Sequence, residues 1–99
     1  MPRLTLLLVD GFVEDEVVVT IDGREVARRK PVTTMLLTGS AGSIRVDAPS
    51  GKFTVGVSVP SRLPLPEAAL ETRADATLLA DLSEGGIRLI EGTGREGVL

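Results

Sequence analysis

The sequence predicts an all-β fold: a single antiparallel two-layer β-sandwich of seven to eight short strands. Three observations carry that prediction. Apolar and polar residues alternate with a period of two over much of the chain, as they do on the two faces of a strand. Turn-forming Gly, Pro and Asp-Gly steps recur about every 8–12 residues, the spacing of strands in a sandwich or small barrel. No stretch reads as the long crossover helix of a parallel α/β sheet. The length agrees: 99 residues, 42% of them apolar, make one domain spanning residues 1–99. A chain of this mass buries roughly two-thirds of its unfolded surface, enough for one core. That core must be aliphatic, because Phe12 and Phe53 are the only aromatic residues.

Leu4, Leu6 and Leu8 alternate with Thr5, Leu7 and Val9, a first strand that is apolar on both faces. Asp10-Gly11 ends it, and Glu14-Asp15-Glu16 forms an acidic loop. Val17, Val19 and Ile21 then share one face, with Val18, Thr20 and Asp22 on the other. Asp22-Gly23 accepts the positive φ of a type I′ turn and predicts a hairpin into Arg24–Arg28. Pro31 cannot donate to a ladder, so it ends or edges that strand. Val32 to Thr38 resumes extended character, and Gly39-Ser40-Ala41-Gly42-Ser43 reads as a hairpin loop. Ile44 and Val46 point one way, Arg45 and Asp47 the other. Ala48-Pro49-Ser50-Gly51 is a turn. Phe53, Val55, Val57 and Val59 form the clearest inward stripe. Pro60 to Pro66, with three prolines, reads as an irregular crossover.

Residues 66–83 admit two readings. Pro66 followed by Glu67-Ala68-Ala69-Leu70-Glu71 has the composition of a helix start. A helix there would bury Glu67, Glu71, Asp75 and Asp81 beside Leu70, Leu78 and Leu82. A period of two separates the types instead. Ala68, Leu70, Thr72, Ala74, Ala76, Leu78, Ala80 and Leu82 fall on one face and Glu71, Arg73, Asp75, Thr77 and Asp81 on the other, where Ala69 and Leu79 are exceptions. The pattern therefore predicts two strands, about 68–73 and 76–82, broken near Ala74-Asp75. Ser83 to Gly86 is a turn, Ile87 to Glu91 the last strand, and the Gly-rich segment from about residue 92 to 99 a flexible tail.

The stretch Val17-Val18-Val19-Thr20-Ile21-Asp22-Gly23-Arg24-Glu25-Val26 resembles the strand–turn–strand that opens PEGA-type and carboxypeptidase-regulatory-type β-sandwich modules. Gly51-Lys52-Phe53-Thr54-Val55-Gly56-Val57 resembles their late strand, so the likeness spans residues 17–59. It implies an immunoglobulin-like or prealbumin-like sandwich and a non-catalytic, interaction-type module. It supplies no functional residues.

Composition narrows the chemistry. The net charge of −3 comes from 11 basic and 14 acidic residues with no concentrated basic stripe, so nucleic acid is not the expected partner. There is no Cys and no His, which removes disulfides, thiolate catalysis, His-dependent serine triads and the usual zinc ligands. Lys30 and Lys52, the only lysines, sit beside turns. No nucleophile–base pair suggests itself, so the chain is not expected to be an enzyme or to hold a cofactor. The absence of Trp and Tyr speaks against carbohydrate recognition. The apolar run Leu4–Val9 is too short for a signal peptide or a membrane span, and the expectation is a soluble, cytoplasmic protein without membrane contact.

Two surfaces remain as candidates. Leu7 and Val9, on the second apolar face of the first strand, need cover that a protein partner or a symmetric copy would provide, with Phe12 either stapling its loop or joining that contact. The acidic loop residues Asp10, Glu14, Asp15 and Glu16, joined by Asp22, could chelate Ca²⁺ through oxygen, although they lack the alternating spacing of a calcium loop. Arg28-Arg29-Lys30 beside Pro31 reads as the charged protection of an edge strand rather than an anion site. The sequence thus predicts a protein-contact module or a homo-oligomer, with a small-ligand or Ca²⁺-binding module as the alternative.

Overall fold

The computed structural model describes residues 3–35, 41–62, 65–83 and 85–92. Eight strands form two four-stranded sheets: β1 (Arg3–Leu8), β2 (Asp15–Ile21), β3 (Arg24–Val32), β4 (Gly42–Asp47), β5 (Lys52–Ser58), β6 (Ala68–Arg73), β7 (Thr77–Ser83) and β8 (Gly86–Glu91). Sheet A has the order β4-β1-β7-β8 and sheet B the order β3-β2-β5-β6. The chain passes between layers at β1–β2, β3–β4, β4–β5 and β6–β7, so each sheet is assembled from distant segments.

Alternation decides which side chains lie between the layers. Leu4, Leu6 and Leu8 of β1, Ile44 of β4, and Leu78, Ala80 and Leu82 of β7 face in from sheet A. Val17, Val19 and Ile21 of β2 meet them from sheet B, with Phe53, Val55 and Val57 of β5. The filling is aliphatic apart from Phe12 and Phe53, as the composition requires.

Residues 66–83 are the two strands that the alternation predicted, not a helix. The break carries Asp75 at φ 67°, and the Asp75 amide donates to the Arg3 carbonyl at 2.7 Å. That bond places the start of β7 beside the start of β1, so β7 enters sheet A in the direction of β1. The β1–β7 pair is consequently parallel, the one departure from the expected antiparallel arrangement. The Asp22-Gly23 turn is as predicted: both residues have positive φ, 50° and 85°, which is what a two-residue type I′ connection requires. Asp22 also accepts the Thr54 amide at 3.0 Å and donates its own amide to the Thr54 carbonyl at 2.9 Å, fastening the turn to β5.

Two connections differ from the sequence reading. Gly42 and Ser43 open β4, and β3 and β4 belong to different sheets, so this passage joins the layers and is not a hairpin; residues 36–40 of it lie outside the described residues. The Pro60–Pro66 stretch is not a crossover. It joins β5 to its neighbour β6 within sheet B and begins with a 3₁₀ turn, Pro60–Arg62. Pro31 lies in β3, an edge strand, the place in a sheet where proline is tolerated. The predicted tail falls at residues 93–99, outside the described residues. No helix among the described residues is long and apolar enough to cross a membrane.

Candidate protein-contact surface

The outer face of sheet A is built by the same alternation that fills the core. With Leu4, Leu6 and Leu8 turned in, Thr5 and Leu7 must turn out. Register then extends the pattern sideways: Leu7 is paired with Leu79, and Leu79 with Ile90. Three large aliphatic side chains therefore form one row across β1, β7 and β8, with Ser43 of β4 at its end. Leu7 and Leu79 are half-buried by their neighbours, and Ile90, on the edge strand, is 37% exposed. Thr5 and Thr77 flank the row on one side. Asp81 and Arg88, themselves register partners, flank it on the other. Val9 continues the line of β1 beyond Leu8, its amide donating to the Ala80 carbonyl at 2.9 Å, and is half-buried like Leu7.

The loop end beside Val9 is held by hydrogen bonds. The Thr34 hydroxyl donates to the Val9 carbonyl at 2.8 Å and accepts the Phe12 amide at 3.1 Å, while the Thr34 amide donates to the Phe12 carbonyl at 2.8 Å. Phe12 is 1% exposed and belongs to the core, so it staples this loop and is not available to a partner. The same loops carry Val13 and Met35, 64% and 61% exposed.

Three of the four acidic side chains are engaged locally, and Glu14 is exposed, with its backbone amide donating to the Thr33 hydroxyl at 2.8 Å. Asp15, 3% exposed, accepts the Val13 amide at 2.9 Å, the Ser61 hydroxyl at 2.9 Å and two nitrogens of Arg62 at 3.0 Å. Burial pushes its carboxyl pKa up. The Val13 amide, the Arg62 guanidinium and the Ser61 hydroxyl outweigh that and hold it below its ordinary value. Arg62 also donates to the Gly11 carbonyl at 3.2 Å, so the network ties the β1–β2 loop to the 3₁₀ turn. Glu16 is paired with Arg28 at 2.8 Å, and Asp10 accepts the Gly11 amide at 3.1 Å. Among the described residues no three acidic side chains converge as a metal cage. The Asp15 carboxylate on which a Ca²⁺ site would depend is already paired with Arg62.

Arg28, Arg29 and Lys30 lie on the edge strand β3. A register shift opposite Val19-Thr20 puts Glu25 and Arg28, three residues apart, on one face, and Arg28 grips Glu25 at 2.8 Å as well as Glu16. Two recesses occur elsewhere. One of about 330 Å³ at the β2–β3 turn has Ile21 and Val26 in its wall, with Asp22, Arg24 and Asp47. One of about 140 Å³ is lined by Lys52, Glu71, Thr72, Arg73 and Glu91, where paired signs cancel and the Thr72 hydroxyl is sealed from solvent.

Sequence reasoning reached Leu7 and Val9 through the two-sided apolar character of β1. It flagged Leu79 only as an exception to the alternation and missed Ile90, although both are the odd apolar residue on a polar face. Arg62 was missed because its segment has no period. No protein-family model matches the chain, and a search of curated proteins finds no significant match.

Proposed function

We propose that this chain is a non-catalytic β-sandwich module that works by protein–protein contact, and that the outer face of sheet A is its contact surface. The observation that carries the reading is the Leu7–Leu79–Ile90 row: three aliphatic side chains aligned by register on the face turned away from the core. Covering such a row favours an associated state by roughly 25 cal/mol for each Å² removed from water. The lack of His and Cys supports the non-catalytic part of the reading.

The test compares the two outer faces. A photo-reactive amino acid is placed at Leu79 on sheet A or at Thr54 on sheet B, and crosslinks are formed in the native cell. The expected result is a protein adduct from position 79 and none from position 54. Adducts from neither position, or equally from both, contradict the proposal.

A further inference from the structure

We infer that the occupant of this face is a second copy of the same chain, packed face to face about a two-fold axis running along the Leu7–Leu79–Ile90 row. The inference rests on the contact surface proposed above and names what covers it.

An axis across the strands stacks the row on its own copy, Leu7 on Leu7, Leu79 on Leu79 and Ile90 on Ile90, as an isologous interface does. Residues two positions to either side of the row then exchange places. Thr77 of one copy lies over Asp81 of the other, a hydroxyl donor over a carboxylate acceptor, twice by symmetry. Asp81 Oδ1 already accepts the Asp10 amide at 3.3 Å, which leaves Oδ2 to receive it. Thr5 lies over Val9, methyl against methyl. At one margin Arg88 falls over Gly92, whose amide donates to the Thr77 carbonyl at 2.7 Å. No like charges meet.

The other two-fold in the plane, parallel to the strands, is worse matched. It sets the Asp81 carboxylate over Val9 and Ile90 over Ser43, burying a charge against methyls and covering the most exposed member of the row with a hydroxyl. Sheets that pack face to face keep their strands within about 30° and sit about 10 Å apart; both two-folds keep the strands aligned, so the side-chain matching alone separates them.

The footprint sets the strength. Four strands about 4.8 Å apart and about five residues of about 3.4 Å rise give about 300 Å² per copy, against the roughly 800 Å² per partner of a stable complex. The dimer is therefore weak and reversible, formed only at high protein concentration.

Sedimentation equilibrium between about 20 µM and about 1 mM, run with methyl NMR spectra on the same samples, tests this. The expected result is a mass rising from 10.4 kDa toward twice that value, with shifts centred on Leu7, Thr77, Leu79 and Ile90. Ile90→Ser, at the exposed edge, and Thr77→Val weaken association several-fold and leave the dilute melting temperature unchanged. A mass fixed at 10.4 kDa, or association without shifts in the row, overturns the second copy. A chain that stays monomeric while position 79 still crosslinks to a protein of another mass overturns the second copy alone. Absence of any crosslink at position 79, both in the cell and in purified protein over the same concentration range, removes the contact surface as well.

Discussion

The two sheets have four strands each and share one aliphatic core, but they differ in where their polar and charged side chains are fastened. Both buried polar residues among those described, Asp15 and Thr72, belong to sheet B. So do its close ion pairs: Arg62 with Asp15, and Arg28 with Glu16 and Glu25, all at 3.0 Å or less. On the outer face of sheet B, Val18 is buried beside its register partner Arg28. Sheet A has no such fastening among the described residues. Its one ion pair, Arg3 with Asp47, is at 4.0 Å between side chains that are two-thirds exposed. Its inner face is aliphatic and part of its outer face is aliphatic too. Sheet B covers part of its outer face with charge, whereas sheet A leaves the Leu7–Leu79–Ile90 row there, the face proposed above for contact.

The largest effect separates two adjacent residues of β7. Leu78 is fully buried on the inner face and Leu79 is half-buried on the outer one. Leu78→Ala is expected to cost about 3 kcal/mol through lost burial and a cavity, and Leu79→Ala under about 1 kcal/mol in the dilute protein. Urea denaturation of both variants checks this, and equal costs would erase the distinction between the faces.

Next comes the ion pair between Asp15 of sheet B and Arg62. Asp15→Ala is expected to cost about 1–3 kcal/mol, because the Val13 amide and the Ser61 hydroxyl lose their acceptor and the partly exposed Arg62 loses its partner. Asp15 also predicts an acid limb. Its folded carboxyl pKa lies below the unfolded value near 3.9, so the unfolded chain binds the proton more readily. The stability it contributes is complete above that value and is lost as pH falls through the folded pKa. A melting-temperature series from neutral pH into acid should fall less steeply in Asp15→Ala than in the parent.

A smaller effect has the opposite sign. The Thr72 hydroxyl is buried, unpartnered and opposite Phe53, so it carries a desolvation cost with no bond in return. Thr72→Val should stabilise by about 1 kcal/mol, read as a higher melting temperature. The smallest effect is that of Arg28→Ala, which removes an exposed pair of ion bonds. A slight loss of melting temperature that shrinks with added salt is expected.

Much of this was legible in the alternation. The split of residues 66–83 into two strands followed from where a helix would have put its carboxylates, and the Asp22-Gly23 hairpin from the φ those two residues tolerate. The parallel β1–β7 pair was not legible. It depends on which end of sheet A the chain reaches after Asp75, and no local pattern encodes that. The Asp15–Arg62 pair was hidden for a related reason: its partners are 47 residues apart, and an acidic loop reads the same whether its carboxylates face water or an arginine. The aliphatic row on the outer face of sheet A was half legible. Leu7 stood out because β1 is apolar throughout, but its alignment with Leu79 and Ile90 needs the register of three strands.

The most direct test of the difference between the faces is the relaxation of leucine and isoleucine methyl groups by a soluble paramagnetic agent, measured on dilute protein. Of the residues compared, Ile90 should relax fastest, Leu79 and Leu7 measurably, and Leu4, Leu6 and Leu78 hardly at all. If Leu7 and Leu79 are as protected as Leu78, the row does not lie on an open face.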